Sequence, residues 1–528
     1  MSAFTAKALA DIKAMGVTHI WYTGIIEHAT QTDYTSHGIA KDHEGVVKGK
    51  AGSPYAIKDY YDNDPDLAVN VEKRREEFKT LIERTHKAGM KVIMDFIPNH
   101  VARHYCSDNT PKGTYSFGEH DNKSTFFVGH NNFYYLGDRS YGCNLDAKDC
   151  AEEEYSESPL RATGNDCFGS PSRNDWYDTV KLNYGIDYRT GNRQFSPVPN
   201  TWVKMLKILQ YWAAQGVDGF RCDMIEMTPV EFWHWALPKI KAEYPEMIFI
   251  GEIYQPHIYR TFIKNGCFDY LYDKVGLYDM LKAVMSGQTS ASNITYALQQ
   301  TADIRGNMLT FLENHDEQRI ASDFFATKAE RALAALIVSV AIGKQPFMLY
   351  AGQELGERGM DKEGYSGVDG RTTIFDYWSV DTLRRLEGLV DVYLPDFKYL
   401  DPSLALAYSD APDYPEVAFA SLAEMLRQCP ECRFDGEGLL QSGVLLRHLV
   451  LPGQRKDSIA LLHALAERFG TDALRLSLMR QYTPEFAKHT PYPDLHRRLT
   501  SFEYESVLRT ASALGFSGYT QDADSASS

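Results

Sequence analysis

The sequence predicts an α/β fold, most simply a (β/α)8-type (TIM-like) barrel. Predicted helices and strands alternate along the first 385 residues, and the strands are continuously apolar. Such strands are typical of a parallel sheet whose faces are covered by helices. Polar residues follow the strands at their C-terminal ends, where barrels build their active sites.

The strands are short apolar runs, rich in β-branched and aromatic residues and bounded by turn signals. The first lies close to the start of the chain and is followed by a long loop rich in Gly, Ser and Pro. Strands are predicted, in order, over 18–25, 91–100, 217–223, 247–252, 268–272, 308–316 and 346–351.

The helices are indicated by their periodicity and their end signals. Gly16 ends the first helix, Asn70 can cap the second, and Gly89 ends it. Thr228 and Glu231 have the spacing of a capping box, with a proline in the first turn. Helices are predicted over 6–15, 71–88, 202–214, 228–244, 258–264 and 328–342.

This alternation is interrupted once. From 101 to 199 the periodicity disappears and Gly, Asn, Asp, Ser and Tyr dominate, over a length too great for a connecting loop. We interpret this stretch as an inserted subdomain. The predicted domains are therefore a barrel over 1–100 and 200–385, an insertion over 101–199, and a partial α/β segment over 386–528.

Composition excludes some classes of partner. The formal net charge of −16 argues against nucleic acid, whose phosphates would repel the chain. The longest apolar run, 332–342, is too short to span a bilayer, so no membrane partner is expected. The first residues lack the basic start and apolar region of a signal peptide, which leaves the compartment unknown and cytoplasmic by default.

Four strand ends carry residues suited to catalysis. Arg221 and Asp223 are two apart and share one face of a strand, a pair that alone is most simply a structural salt bridge. On a barrel all four ends meet at one mouth, where several carboxylates together are electrostatically costly unless they have a function. Glycosidic cleavage uses such a set, with a carboxylate nucleophile and an acid of raised pKa. The four groups are Asp95 with Asn99 and His100, Arg221 with Asp223, Glu252, and Asn314 with His315 and Asp316.

These stretches resemble the four signature regions of the α-amylase family of retaining glycoside hydrolases. They read DFIPNH over 95–100, GFRCD over 219–223, GE over 251–252 and FLENHD over 311–316. Their order and spacing match the family, and the resemblance extends to about residue 385. It implies cleavage of α-glucosidic bonds in α-glucans or malto-oligosaccharides through a covalent glycosyl-enzyme intermediate.

The resemblance also implies a role for each catalytic residue. Asp223 would be the nucleophile, and Glu252 would protonate the leaving oxygen and then activate water. Asp316 would hold the 2- and 3-hydroxyls of the sugar.

Four further residues would contact the substrate or orient the nucleophile. Arg221 would orient Asp223, while His100 and His315 would bind sugar hydroxyls. Tyr55 would stack on a sugar ring. The insertion lies where the family has its domain B.

The resemblance makes calcium a possible cofactor, with Asn99 as the matching ligand. Glu226 and Met227, however, replace the Lys-His pair of typical calcium-dependent members, and Ser53 replaces a sugar-binding His. Both the calcium and the usual starch specificity are therefore in doubt.

The two ends of the barrel unit also depart from the family. The first barrel strand should precede the 6–15 helix, so the barrel is predicted to lack it. The chain is joined near 381–386 to a segment that resembles the C-terminal half of radical SAM activating proteins. Its Cys429 and Cys432 are a lone C-x-x-C pair and cannot replace the missing cluster motif. No iron–sulfur cluster or S-adenosylmethionine is therefore expected.

Three hypotheses remain. The first is a retaining α-glucan hydrolase, or transglycosylase, and it is favoured by the intact catalytic set. The alternative is a truncated, catalytically inactive chimera that at most binds carbohydrate. A SAM-dependent activase is disfavoured by the missing cluster motif.

Overall fold

Seven parallel strands make up the principal sheet of the computed structural model. The structure describes residues 1–2, 4–137, 155–356, 390–409, 411, 414–436, 438–488 and 490–521. Internal contacts divide the chain into two units, Met1–Asp376 and Tyr377–Ser528. The predicted junction at 381–386 lies outside the described residues.

The elements of the first unit follow the predicted alternation. Its strands are β1 (His19–Tyr22), β2 (Ile26–His28), β3 (Ile57–Asn63), β4 (Lys91–Phe96), β5 (His100–Ala102), β6 (Tyr135–Gly137), β7 (Leu160–Arg161), β8 (Thr179–Lys181), β9 (Gly219–Cys222), β10 (Ile248–Gly251), β11 (Tyr270–Tyr272), β12 (Met308–Phe311) and β13 (Phe347–Met348). Its helices are α1 (Ala6–Ala14), α2 (Arg74–Lys87), α3 (Asn200–Ala214), α4 (Val230–Glu243), α5 (Tyr259–Lys264), α6 (Asp279–Met285), α7 (Asn293–Gln300) and α8 (Ala329–Ala341).

The principal sheet has the strand order β1-β4-β9-β10-β11-β12-β13. Side chains from both of its end strands, Trp21 and Phe347, pack against one core cluster with Ile93 and Ile250 of the strands between them. The sheet therefore curls around a shared interior, and the prediction of a TIM-like parallel α/β sheet is confirmed. The absence of the family's first strand stays a prediction.

The helices cover the outer face of this sheet. Phe78, Leu81, Ile82 and Thr85 recur at helical spacing on α2, and all four are buried. The predicted second helix starts with a short 3-10 turn, Val71–Lys73, which Asn70 caps by accepting from the amide of Glu72. Burial of one face explains why this polar helix packs on the sheet.

The predicted capping box before α4 is wrong. The N-cap is Pro229, and no side chain caps the helix. The Thr228 hydroxyl instead donates to the carbonyl of Ile225 and accepts from the indole of Trp233. The buried Trp233 indole needs a hydrogen-bond acceptor, and the Thr228 hydroxyl therefore bonds to it instead of capping the helix.

The insertion and the loop before it contain short antiparallel pairs. β5 pairs with β8, and β6 pairs with β7. The stretch predicted as a loop after β1 contains β2, which pairs with β3. All seven residues of β3 are buried, including its polar ones.

The second unit is a smaller α/β layer. Its described elements are β14 (Val392–Tyr393), α9 (Pro402–Ser409), α10 (Tyr414–Gln428), β15 (Arg433–Phe434), β16 (Leu440–Leu449), α11 (Arg455–Phe469), β17 (Arg475–Met479), α12 (Ser501–Leu514) and β18 (Gly518–Thr520). The strands β14, β16, β17 and β18 are parallel in that order, and β15 is antiparallel to β16. In the described parts of both units, no helix combines the length and apolarity that a bilayer crossing requires.

Candidate active site

Arg221 lies at the centre of a cluster of buried acids at the C-terminal ends of the strands. Its side chain is 1% exposed. Its Nη1 donates to Asp223 Oδ1 at 2.9 Å and to Asp95 Oδ1 at 3.4 Å. Its Nη2 lies 2.6 Å from Glu252 Oε1, an ion-pair contact without hydrogen-bond geometry. One guanidinium therefore contacts three carboxyl groups from three neighbouring strands.

The register of the sheet and two aromatic residues position Arg221 and its acidic partners. β4 and β9 pair so that Asp95 lies beside Arg221. The Nε of Arg221 donates to the hydroxyl of Tyr272 on β11 at 3.2 Å. The indole of Trp21 on β1 donates to Asp95 Oδ2 at 2.9 Å. Side chains from five strands thus converge on one point, as expected at the mouth of a barrel.

Asp223 and Glu252 lie on the two terminal nitrogens of the Arg221 guanidinium, with Asp223 Oδ1 2.9 Å from Nη1 and Glu252 Oε1 2.6 Å from Nη2. Burial, reinforced by the neighbouring Glu252, raises the pKa of Asp223 well above its usual range. Like charges in a buried site disfavour the ionisation of both carboxyl groups, which adds to this upward shift. Two neighbouring carboxyl groups suit acid–base chemistry, because one can act as an anion while the other donates a proton.

Glu252 is held in place by two further donors. The amide of Met224 donates to Oε2 at 3.0 Å, and the hydroxyl of Tyr254 donates to Oε1 at 2.7 Å. Met224 directly follows Asp223 and has φ 41° and ψ 51°, in the left-handed region. This conformation is unfavourable for a residue with a side chain, and such strain is concentrated at functional sites. In this conformation the backbone amide of Met224 points at the carboxylate of Glu252.

The fourth strand end places Asp316 at the surface of the site. Its side chain is 48% exposed, and Oδ2 lies 3.1 Å from His315 Nε2. His315 is buried, stacks on Tyr55 at 5.2 Å between ring centroids, and is 2.6 Å from the Tyr55 hydroxyl. The Arg221 guanidinium lies 5.5 Å from the Tyr55 ring. The structure therefore brings Asp316, His315 and Tyr55 together beside the acid cluster.

His100 is held on the side of the insertion. Burial, with the positive charges of Lys181 and Lys48 nearby, lowers the pKa of His100 to about 3, so the ring is neutral. Its Nδ1 lies 3.1 Å from Asn99 Nδ2. Among the predicted site residues, His100 is thus in contact with Asn99.

Asn99, the predicted calcium ligand, contacts an ammonium group. Lys181 is 1% exposed and donates to Asn99 Oδ1 and, at 3.0 Å, to the carbonyl of Met227. Its Nζ also lies 2.6 Å from Asp166 Oδ1. These residues do not fit a calcium ion, because a buried cation already contacts the oxygens that would ligate the metal.

A second acidic cluster, separate from the acids around Arg221, consists of Glu27, Asp59 and Asp108. Their carboxylate oxygens lie within 4.8 Å of one another. Asp59, however, accepts hydrogen bonds from the amides of Tyr61, Asp108 and Asn109 and from the Ser107 hydroxyl. A carboxylate offers about four lone-pair sites, so that of Asp59 is saturated and poorly suited to a metal.

Several residues of the site were not predicted from the sequence. Tyr254, Tyr272, Trp21 and Lys181 all contact predicted site residues. The first three are aromatic residues in or beside apolar strands, where the sequence pattern indicates only core packing. Lys181 lies in the insertion, where no local pattern indicates a contact with the site.

The sequence model described as "Alpha amylase, catalytic domain" matches residues 5–386. A relative, alpha-amylase MalA of Haloarcula japonica, is 26% identical over 356 residues, covering 66% of this chain and 40% of the relative. An alpha-amylase of Streptomyces lividans is 25% identical over 401 residues, covering 69% of this chain and 40% of the relative. The chain thus spans about two fifths of the length of these curated relatives.

A solved structure titled as an alpha-amylase from Lactobacillus plantarum is also similar. It is 24% identical, with a TM-score of 0.45, over 72% of this chain and 75% of that one. The catalytic-domain match covers most of the first unit and most of the whole chain, and this protein therefore belongs to the α-amylase family.

Proposed function

We propose that this chain cleaves α-glucosidic bonds in α-glucans or malto-oligosaccharides with retention of configuration. The observation that carries the proposal is that Asp223 and Glu252 both contact one buried guanidinium, which holds them close together. Retaining enzymes place their two carboxyl groups about 5–5.5 Å apart, whereas inverting enzymes leave about 6.5–9.5 Å for a water molecule. Carboxyl groups held on the two neighbouring nitrogens of one guanidinium favour the shorter separation.

In the proposed mechanism, a carboxylate oxygen of Asp223 attacks the anomeric carbon of the sugar. The glycosidic bond breaks as Glu252 transfers its proton to the departing oxygen. Glu252, now a carboxylate, then takes a proton from water, and the resulting hydroxide displaces Asp223. The pair thus returns to its starting state, with Asp223 ionised and the proton on Glu252.

The other residues would hold the substrate or the two acids. Asp316 is exposed beside the acids and can accept hydrogen bonds from the 2- and 3-hydroxyls of the sugar. Tyr55 offers a ring for stacking, and His315 offers a ring nitrogen. Arg221 keeps Asp223 aligned and stabilises its charge.

We further propose the domain division given by the sequence: a barrel over 1–100 and 200–385, a domain B over 101–199, and a separate segment over 386–528. No activity is assigned to this last segment. Cys429 is buried there, with its thiol 3.4 Å from the carbonyl of Val390. The resemblance of the segment to radical SAM proteins stays a prediction.

The function is tested by the release of reducing sugar from malto-oligosaccharides. The purified full chain should release it, and Asp223→Asn should lower the rate by about 10³-fold or more, because the amide is a poor nucleophile. Asp11→Asn, at an exposed position on α1, makes the same chemical change as a control. Equal release by the wild type and Asp223→Asn, or no release by the wild type, would contradict the proposal.

A further inference from the structure

A buried ammonium group joins three segments next to the active site. Lys181 stands at the end of β8 in the insertion, where it pairs in register with His100 of β5. Its Nζ contacts Asn99 after β4, Asp166 in the insertion and Met227 in the turn after β9. Met227 lies four residues beyond Asp223.

Three oxygens surround the ammonium: two accept its hydrogen bonds, and the Asp166 carboxylate makes an ion pair without hydrogen-bond geometry. A lysine ammonium has three N–H donors and no acceptor. The three oxygens around Lys181 come from an amide, a carboxylate and a backbone carbonyl. These are the oxygen types that bind hard cations such as calcium. Calcium, however, takes 6–8 oxygens, and this set supplies only one full negative charge.

We propose that the Lys181 ammonium is a built-in replacement for a divalent cation, fastening the insertion to the strand ends that carry the active site. The single positive charge is balanced by the single carboxylate of Asp166, which is 33% exposed, so the ion pair is neutral as a whole. The region around Asn99 then needs no metal to keep its structure.

The arrangement also explains the orientation of neighbouring side chains. Because Lys181 uses Asn99 Oδ1, the amide nitrogen of Asn99 is directed away from it. That nitrogen donates to the carbonyl of Gly164 at 2.8 Å and lies 3.1 Å from His100 Nδ1. The ammonium therefore positions His100 through Asn99.

The test is thermal unfolding of the full chain in calcium chloride and in EDTA, a readout that does not depend on activity. The Tm of the wild type should be the same in both. Lys181→Ala should unfold at a lower temperature, because the buried Asn99 Oδ1 loses its hydrogen-bond donor. Calcium should then raise the Tm of Lys181→Ala by about 2–4 °C by entering the vacated site. Lys123→Ala, at an exposed position in the insertion, is the matched control.

Two outcomes would overturn the proposal. One is a Lys181→Ala variant whose Tm responds to calcium no more than that of the wild type. The other is a wild type that calcium stabilises through the same oxygens, recognised because Asp166→Asn abolishes the stabilisation. The second outcome can be measured even where Lys181→Ala fails to fold.

Discussion

At the residue scale, Glu27 is an acidic side chain that is buried where its ionised form is disfavoured. It is 2% exposed, and its Oε2 has no hydrogen-bond partner among the described residues. Burial, with Asp59 beside it, raises the pKa of Glu27 from 4.5 to about 9. The side chain is therefore protonated in the folded protein at neutral pH.

This shift predicts a pH-dependent effect of Glu27→Gln on stability. The unfolded chain releases the proton above about pH 4.5 but the folded chain only near pH 9, so wild-type Glu27 destabilises the fold increasingly as pH rises between these values. Glutamine cannot ionise and removes this penalty. The Tm of Glu27→Gln should equal that of the wild type at pH 4 and exceed it at pH 8.

Glu83→Gln, an exposed position on α2, is the control for this comparison. Thermal melts at the two pH values provide the measurement. A Glu27→Gln variant that is less stable than the wild type at pH 8 would show that the ionised carboxylate is needed, as it would be at a cation site.

The acids around Arg221 illustrate what a sequence can and cannot reveal at this scale. Asp223 and Glu252 were predictable because each follows a recognisable apolar strand. Tyr254 and Lys181 were not, since their partners lie far away in the sequence. The contact of Lys181 with Asn99 spans 82 positions, and no local pattern marks it.

At the scale of elements, the β9–β10 pair decides whether the two acids meet. Gly219 of β9 pairs with Ile248 of β10. A Cβ built on Gly219 would lie 2.8 Å from the Ile248 carbonyl oxygen and 3.3 Å from its Cβ. Neither atom can move away without shifting the strand. The absence of a side chain therefore allows the close approach of the strands that carry Asp223 and Glu252.

We expect Gly219→Ala to destabilise the first unit by about 1–3 kcal/mol, as overpacking in a core does, and to lower activity by displacing the two acids. Gly169→Ala is the control, because a Cβ there meets nothing within 4 Å. Chemical denaturation measures the free energy of unfolding. Unchanged stability of Gly219→Ala would show that the strands have room to separate.

Element types were more predictable than their ends or their capping. Continuously apolar runs indicated the seven strands, and apolar residues at helical spacing indicated the main helices. The predicted strands were longer than the observed ones. The polar residues at the ends of the predicted strands belong to the site and do not take part in the hydrogen bonding of the sheet. The β2–β3 pair was missed, since β3 is rich in Asp, Asn and Tyr, and its burial depends on distant partners.

At the scale of the whole molecule, the predicted alternation of strands and helices was enough to indicate a parallel sheet that curls. The insertion was recognised by its loss of periodicity, but its antiparallel pairs could not be placed, because their partners are up to 81 positions apart. The chain forms two units, and the predicted catalytic residues all lie in the first. The proposed function therefore depends on the first unit.

The most direct test of the central claim is the anomeric configuration of the first product. Proton NMR during cleavage of a malto-oligosaccharide by the full chain distinguishes the α from the β anomer before mutarotation mixes them. A covalent intermediate on Asp223, resolved by water that Glu252 activates, predicts the α anomer first. First appearance of the β anomer would contradict the account, because it requires a single displacement by water between two separated carboxyl groups.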